Sequence, residues 1–301
     1  MSKITANGIE IEYEAFGNPS DRPLLLIIGV GSQLILWDES ICKDLASRGH
    51  YVIRYDNRDA GLSTKCDMAG FTDLIEIKKT IGRILRGERI SVPYTIADMA
   101  DDGAGLLEAL GIPRAHICGM SMGGMIAQTI ALRHSSRVLS LTSIYSNTGN
   151  PGLPQPKPEV MAAFFSPIPE ERPAYIEHML RLFEMITGPC FPLDEEWARR
   201  IVAANYDRCF YPKGVARQVL AILTQNNRKD ILSSLRVPVL VIHGTDDPLV
   251  AVEGGKETAA VIPGAQLILI EGMGHDVPHG GAWPQIVQEI TAHTLAATRH
   301  I

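Results

Sequence analysis

Ser121 stands in the stretch HICGMSMGG (116–124), with Gly119 two residues before it and Gly123 two residues after it. A serine hydroxyl is nearly inert at neutral pH, so it does nucleophilic chemistry only beside a histidine base that an acid orients. The sequence offers both partners. HGTDDPLV (243–250) carries the adjacent pair Asp246 and Asp247, whose side chains point in different directions, so only one can face a common site. Asp247 precedes Pro248, which restricts its backbone to the extended region and helps fix its orientation. Asp246 reads as a turn residue bonding its own backbone. GMGHDVP (272–278) supplies His275, and His279 on the same loop is its one serious competitor. His243 and His116 belong to strands, His50 precedes one, and His134, His178, His293 and His300 are expected at solvated helix positions.

These residues need elements to bring them together. PLLLIIG (23–29), HYVIRYD (50–56), AHICG, VLSLTSIYS and PVLVIHG (238–244) are apolar runs of the kind found in strands buried on both faces. IEIEYEAFG alternates as a strand with one wet face, and AQLILIEG (265–272) is the last strand. Helical periodicity falls between them, over 95–112 with Thr95 as cap, in MIAQTIALRH, near 253–261 and from about 282 to 297. Strands alternating with helices predict an α/β fold, a mainly parallel sheet flanked by helices, with ligands at the carboxyl ends of the strands. Ser121, Asp247 and His275 all follow strand ends, in the chain order in which these three roles occur on such a sheet.

GxSxG alone is a weak pattern, and a glycine-rich turn with an incidental serine is the bland alternative. Its place between strand and helix favours the chemical reading. Gly119 and Gly123 remove side chains where the chain must pass close to itself, leaving the serine strained and projecting at a helix N-terminus. The Met122 amide behind it then points at a developing oxyanion. IIGVGSQLILW (27–37) follows a central strand, and its Val30 amide is the natural second donor.

Two segments break the alternation. Residues 64–94 contain FTDLIEIKKTIGRILRGER, an extra helix over 72–89 with a basic outer face, whose role is open between covering the entrance to the site, joining a dimer contact and simply being solvated. Residues 148–230 open with NPGLPQPKP and read as several short helices, a cap inserted between core strands, so that 1–147 and 231–301 form the core. The insertion is rich in Phe164, Phe165, Met179, Phe183, Met185, Trp197, Tyr206, Phe210 and Tyr211, which together favour an apolar pocket roof.

Composition excludes several classes. The 28 basic and 34 acidic residues are interleaved and leave a net charge of −6, so no nucleic-acid partner is expected. No apolar run approaches the roughly 18 residues of a membrane span, and the start lacks the layout of a signal peptide. Cys42, Cys66, Cys118, Cys190 and Cys209 are odd in number, scattered and without CxxC, which disfavours a disulfide scaffold or a zinc site. A cytoplasmic protein with no membrane partner, acting as monomer or homodimer, is expected.

Taken together, these motifs resemble the α/β-hydrolase family over nearly the whole chain. GMSMGG looks like the nucleophile elbow, HGTDDPLV the acid turn and GMGH the histidine loop. YDNRDAGLS (55–63) looks like the family's D-x-R-G-x-G-x-S turn, with Asp59 and Ala60 where glycine or other small residues are more usual. VIRYDNRDAGLST, YTIADMADD…LLEALGI and MSMGG are similar to the serine carboxylesterase branch that includes aclacinomycin methylesterase. The resemblance implies Ser121 as nucleophile, His275 as base, Asp247 as orienting acid, and Val30 and Met122 as oxyanion donors. It implies hydrolysis of a small-molecule carboxylic ester, a small or medium apolar one, without metal or other cofactor. One departure is Ile28–Gly29, where most of the family has His-Gly. Carbon–carbon bond hydrolases, perhydrolases and thioesterases use the same three residues, and a non-catalytic ligand-binding protein on this scaffold is the alternative from another class. Dehalogenases and epoxide hydrolases place an aspartate in the elbow, so Ser121 argues against both.

Overall fold

A computed structural model describes residues 1–67, 71, 73–277 and 279–298. Eight strands form one sheet: β1 (Ser2–Ala6), β2 (Ile9–Phe16), β3 (Arg22–Ile27), β4 (His50–Tyr55), β5 (Ala115–Met120), β6 (Val138–Ile144), β7 (Val239–Gly244) and β8 (Gln266–Ile270). Their spatial order is β1-β2-β4-β3-β5-β6-β7-β8. β1 and β2 are antiparallel, as are β2 and β4, and every later pairing is parallel. The α/β sheet is therefore the expected one. β1 was not anticipated as a separate strand. Asn7 and Gly8, at φ 48° and 77°, make the tight turn that folds it back on β2 as a hairpin.

The helices are α1 (Glu39–Ser47), α2 (Leu74–Leu85), α3 (Ile96–Ala109), α4 (Met122–Arg133), α5 (Pro158–Phe164), α6 (Arg172–Ile186), α7 (Glu195–Arg208), α8 (Pro212–Leu223), α9 (Lys229–Leu232), α10 (Val252–Val261) and α11 (Trp283–Thr298). Thr95 caps α3 as expected and completes a capping box with Asp98. α1 was not foreseen, because its nine residues bury only Ile41, Cys42 and Leu45. Five helices, α5 to α9, lie in the chain between β6 and β7.

Successive strand residues point to opposite faces, and both faces are covered. Leu24, Leu26, Val52 and Cys118 pack with Ile41 and Leu45 of α1 and Trp283 and Ile286 of α11. Leu25, Ile27, Ile53 and Ile117 pack with Leu106 of α3 and Ile126 of α4. Leu24 to Ile27 have no exposed surface, and each such side chain contributes about 1.5–3 kcal/mol by leaving water. Among the described residues no helix is long and apolar enough to cross a membrane.

One face also buries three histidines, of which His293 was expected in solvent. His293 is buried rather than solvated, because its side of α11 rests on the sheet. His116 faces the Ser140 hydroxyl at 2.8 Å, and His50 lies 2.7 Å from the Thr294 hydroxyl. His300 lies outside the described residues. Burial pushes the His116 imidazole down to about 3 and lowers His50 and His293 as well. Unfolded histidines take up a proton near pH 6.5. Below that pH the unfolded chain binds protons that the fold does not, so stability falls as pH drops, by about 1.4 kcal/mol per pH unit for His116. The urea midpoint is expected to be lower at about pH 5 than at about pH 7.5, with His116→Gln reducing that difference. An equal difference in both proteins would contradict this account.

Candidate active site

β5 ends at Met120 and α4 begins at Met122, so one residue makes the whole turn. That residue is Ser121, at φ 56° and ψ −124°, a left-handed backbone that residues with a side chain rarely adopt. Three glycines make the turn possible. A Cβ at Gly119 would overlap the Gly123 carbonyl, one at Gly123 the Ile27 carbonyl, and one at Gly124 would press into Ser146. The sequence singled out Gly119 and Gly123 for this reason; Gly124 serves it too. Ser121 N–H donates to the Ile144 carbonyl at 3.0 Å, tying the turn to β6.

The loop after β3 crosses directly over the serine. A Cβ on Gly29 would lie 3.3 Å from Ser121 Cβ and 3.7 Å from its hydroxyl. The Val30 amide is thus next in sequence to a residue in contact with Ser121, and Met122 opens α4, whose first amides precede any intrahelical acceptor. Three groups fix this loop. Asn57 Nδ2 donates to the Ile28 carbonyl at 3.1 Å, Leu34 N–H donates to Asp56 Oδ1 at 2.7 Å, and Gly31 N–H donates to Gln218 Oε1 at 2.8 Å. A histidine before Gly29 is therefore not what shapes the loop here.

Asp247 and His275 meet on the neighbouring loops. His275 Nδ1 lies 2.7 Å from Asp247 Oδ2, and both side chains are buried. The carboxylate accepts, so Nδ1 carries a proton and Nε2 is left for a second partner. The other oxygen, Asp247 Oδ1, accepts from the Leu249 and Val250 amides at 2.9 and 2.8 Å. The turn bonding expected of Asp246 thus belongs to Asp247. Asp246 is exposed and accepts from the Thr245 hydroxyl at 2.6 Å instead. Burial acts to raise the Asp247 carboxyl, but His275 and His243 outweigh it and hold it below the usual carboxylate range. His243 Nε2 sits 3.5 Å from Asp247 Oδ2 and 2.8 Å from the Val250 carbonyl.

His279 is elsewhere. It stacks on Trp197 with ring centroids 4.4 Å apart and lies between Asp38 and Asp194 at 3.5 and 3.3 Å. Tyr145 escaped the sequence reading. At the end of β6 its ring packs 4.4 Å from that of His275, and its hydroxyl donates to the Asp276 carbonyl at 3.1 Å. Only its place after an apolar strand could have marked it.

Ser121, His275, Val30 and Tyr145 line one cavity of about 420 Å³. Of the nine apolar and aromatic residues singled out in the insertion, Phe164, Phe165, Met179, Phe183, Phe210 and Tyr211 line it; Met185, Trp197 and Tyr206 do not. Lys78 and Ile81 of α2 also line it, while among the described residues no arginine does. Asp59 and Ala60 stand at the wall where smaller residues are more usual. Asp59 has φ 65°, the region that favours glycine, and an aspartate tolerates it. Its carboxylate takes the buried Arg217 of α8 through two bonds of 2.8 and 2.9 Å. Arg208 of α7 likewise reaches Asp56 at 2.7 Å. Among the described residues no cluster of side chains suits a metal ion.

The family model described as alpha/beta hydrolase fold matches residues 22–282, and the chain belongs to that family. It is 29% identical to a rhodomycin D methylesterase of Streptomyces peucetius, across 98% of this chain and 98% of the relative. It is also 29% identical to a 2-hydroxy-6-oxononadienedioate/2-hydroxy-6-oxononatrienedioate hydrolase of Cupriavidus pinatubonensis (strain JMP 134 / LMG 1197), over 57% of this chain and 59% of that protein. The crystal structure of an esterase from Rhodococcus sp. ECU1013 superposes with a TM-score of 0.73 at 22% identity, covering 98% of each chain. That last likeness is one of fold.

The elbow glycines should tolerate no side chain. Gly123→Ala must displace the end of β3, which is expected to cost about 3 kcal/mol in urea unfolding. An unchanged midpoint would contradict this packing.

Proposed function

We propose that the protein is a serine carboxylesterase acting through an acyl-enzyme, with Ser121 as nucleophile, His275 as base and Asp247 as its orienting acid. The observation that carries this reading is the 2.7 Å contact between Asp247 and His275 in the wall of the cavity that Ser121 also lines. With Nδ1 held by the carboxylate, Nε2 of His275 takes the proton as the Ser121 oxygen attacks the ester carbonyl. The oxyanion forms against the Val30 and Met122 amides, where each donor is worth about 100- to 1,000-fold in rate. The alcohol leaves with the proton from His275. Water then attacks the acyl-enzyme by the same route, and the free acid departs.

The cavity points to the substrate class. Its volume of about 420 Å³ and its lining of Phe164, Phe165, Met179, Phe183 and Phe210 suit the ester of a bulky apolar acid. Residues 148–230 act in this reading as a cap that closes over the acyl group, anchored to the core by the Arg208–Asp56 and Arg217–Asp59 pairs. A methyl ester is favoured because a relative matched across 98% of the chain is named a methylesterase. The relative that cleaves an oxo-dienedioate matches over little more than half of it. The five free cysteines agree with a reducing, cytoplasmic setting.

Ser121→Ala is expected to abolish turnover of p-nitrophenyl esters and labelling by a fluorophosphonate, with its melting temperature near that of the parent. Turnover at the parent rate would defeat the assignment. Product analysis on bulky methyl esters should yield the acid and methanol.

A further inference from the structure

The loop that carries His275 is held from two sides. On one side is the end of β7, where Asp246 N–H donates to the Met273 carbonyl at 3.0 Å and Gly272 N–H donates to the Thr245 hydroxyl at 2.9 Å. On the other side runs the segment that follows α6. There Cys190 N–H donates to the Gly272 carbonyl at 3.1 Å, and His275 N–H donates to the Ile186 carbonyl at 2.8 Å. Gly188 and Gly274 meet so closely that a Cβ on either would overlap the other's backbone nitrogen.

Asp276 lies in the middle of this contact. It is 7% exposed, its Oδ1 accepts from the Gly188 amide at 2.8 Å, and its Oδ2 has no protein partner among the described residues. Burial raises its carboxyl above the ordinary range despite that bond. A carboxyl group kept at such a desolvation cost calls for a use. It takes no part in the chemistry proposed above.

We propose that Asp276 is a positioning residue for His275, joining the histidine loop through the Gly188 amide to the end of α6. The inference rests on the reading of His275 as the base. α6 is also a wall of the cavity, through Tyr175, Met179, Phe183 and Ile186. Ile186 closes the circuit, since its carbonyl holds the His275 amide while the residue itself lines the cavity. A bulky acyl group packed against α6 therefore bears on the backbone that aims the imidazole at Ser121. Tyr145 adds a tie from the core side by donating to the Asp276 carbonyl.

The test compares Asp276→Ala, Asp276→Asn and His275→Ala by steady-state kinetics on a p-nitrophenyl ester and by thermal melting. Asparagine keeps an oxygen for the Gly188 amide and removes the charge. Displacing a catalytic group by about 1 Å can cost on the order of 100-fold. Asp276→Ala should accordingly lower kcat by about 10- to 100-fold with KM within about threefold, and Asp276→Asn should recover most of that loss. If Asp276→Ala does not fold, Asp276→Ser, whose hydroxyl falls short of the Gly188 amide, makes the same comparison. Parent kcat in the alanine or serine variant would overturn the proposal. So would an asparagine variant as impaired as alanine, or a loss confined to KM. Full activity in His275→Ala would instead sink the assignment of the base, a separate result.

Discussion

At Gly123 the first turn of α4 runs so close to the end of β3 that even one methyl group would strike the Ile27 carbonyl. Everything at the site depends on this approach. It forces the chain from β5 into α4 through a single residue, and that residue takes a left-handed backbone at φ 56°. Such a conformation costs on the order of 1–3 kcal/mol. The buried faces of β5 and α4 offset it, with Cys118, Ile126, Ala127 and Ile130 all fully buried. The strain has a chemical return. It lifts the Ser121 side chain off the sheet and sets the amide that follows it at the positive end of a helix.

The second partner of the site is held by different means. His275, unlike Ser121, does not take a left-handed backbone; its loop is clamped between β7 and the segment after α6, and its ring between Asp247 and Tyr145. Asp247 is itself fixed by the Leu249 and Val250 amides, so the imidazole inherits its direction from backbone hydrogen bonds. The two arginine–aspartate pairs, whose carboxylates are buried, extend this rigidity toward the helices between β6 and β7. Removing either arginine would leave a buried carboxylate without its countercharge, which is far costlier than never having formed the pair.

What the sequence made legible follows from how local each signal is. The elbow, the acid turn and the histidine loop are short stretches placed after apolar strands, and both the period of the strands and the glycine spacing are local properties. The Thr95 cap was readable for the same reason. Contacts between distant segments were not. Nothing near Asp59 announces that Arg217, far along the chain, will occupy its carboxylate. Nothing in GMGHDVP announces that Gly188 will bond Asp276. His293 was misplaced because its residue type was read as polar, although it continues the stripe of Trp283, Ile286, Val287 and Ile290 at helical spacing that rests on the sheet. β1 escaped because its burial is slight, with only Ala6 fully covered.

In the proposed reaction Ser121 forms a covalent bond to the acyl group during turnover. Rapid quenching of the protein with a p-nitrophenyl ester, followed by proteolysis and mass spectrometry, tests it directly. One acyl group is expected on the peptide containing Ser121, appearing with the initial burst of p-nitrophenol and absent from Ser121→Ala. Turnover with no acyl group on that peptide, or with the group on another residue, would contradict it.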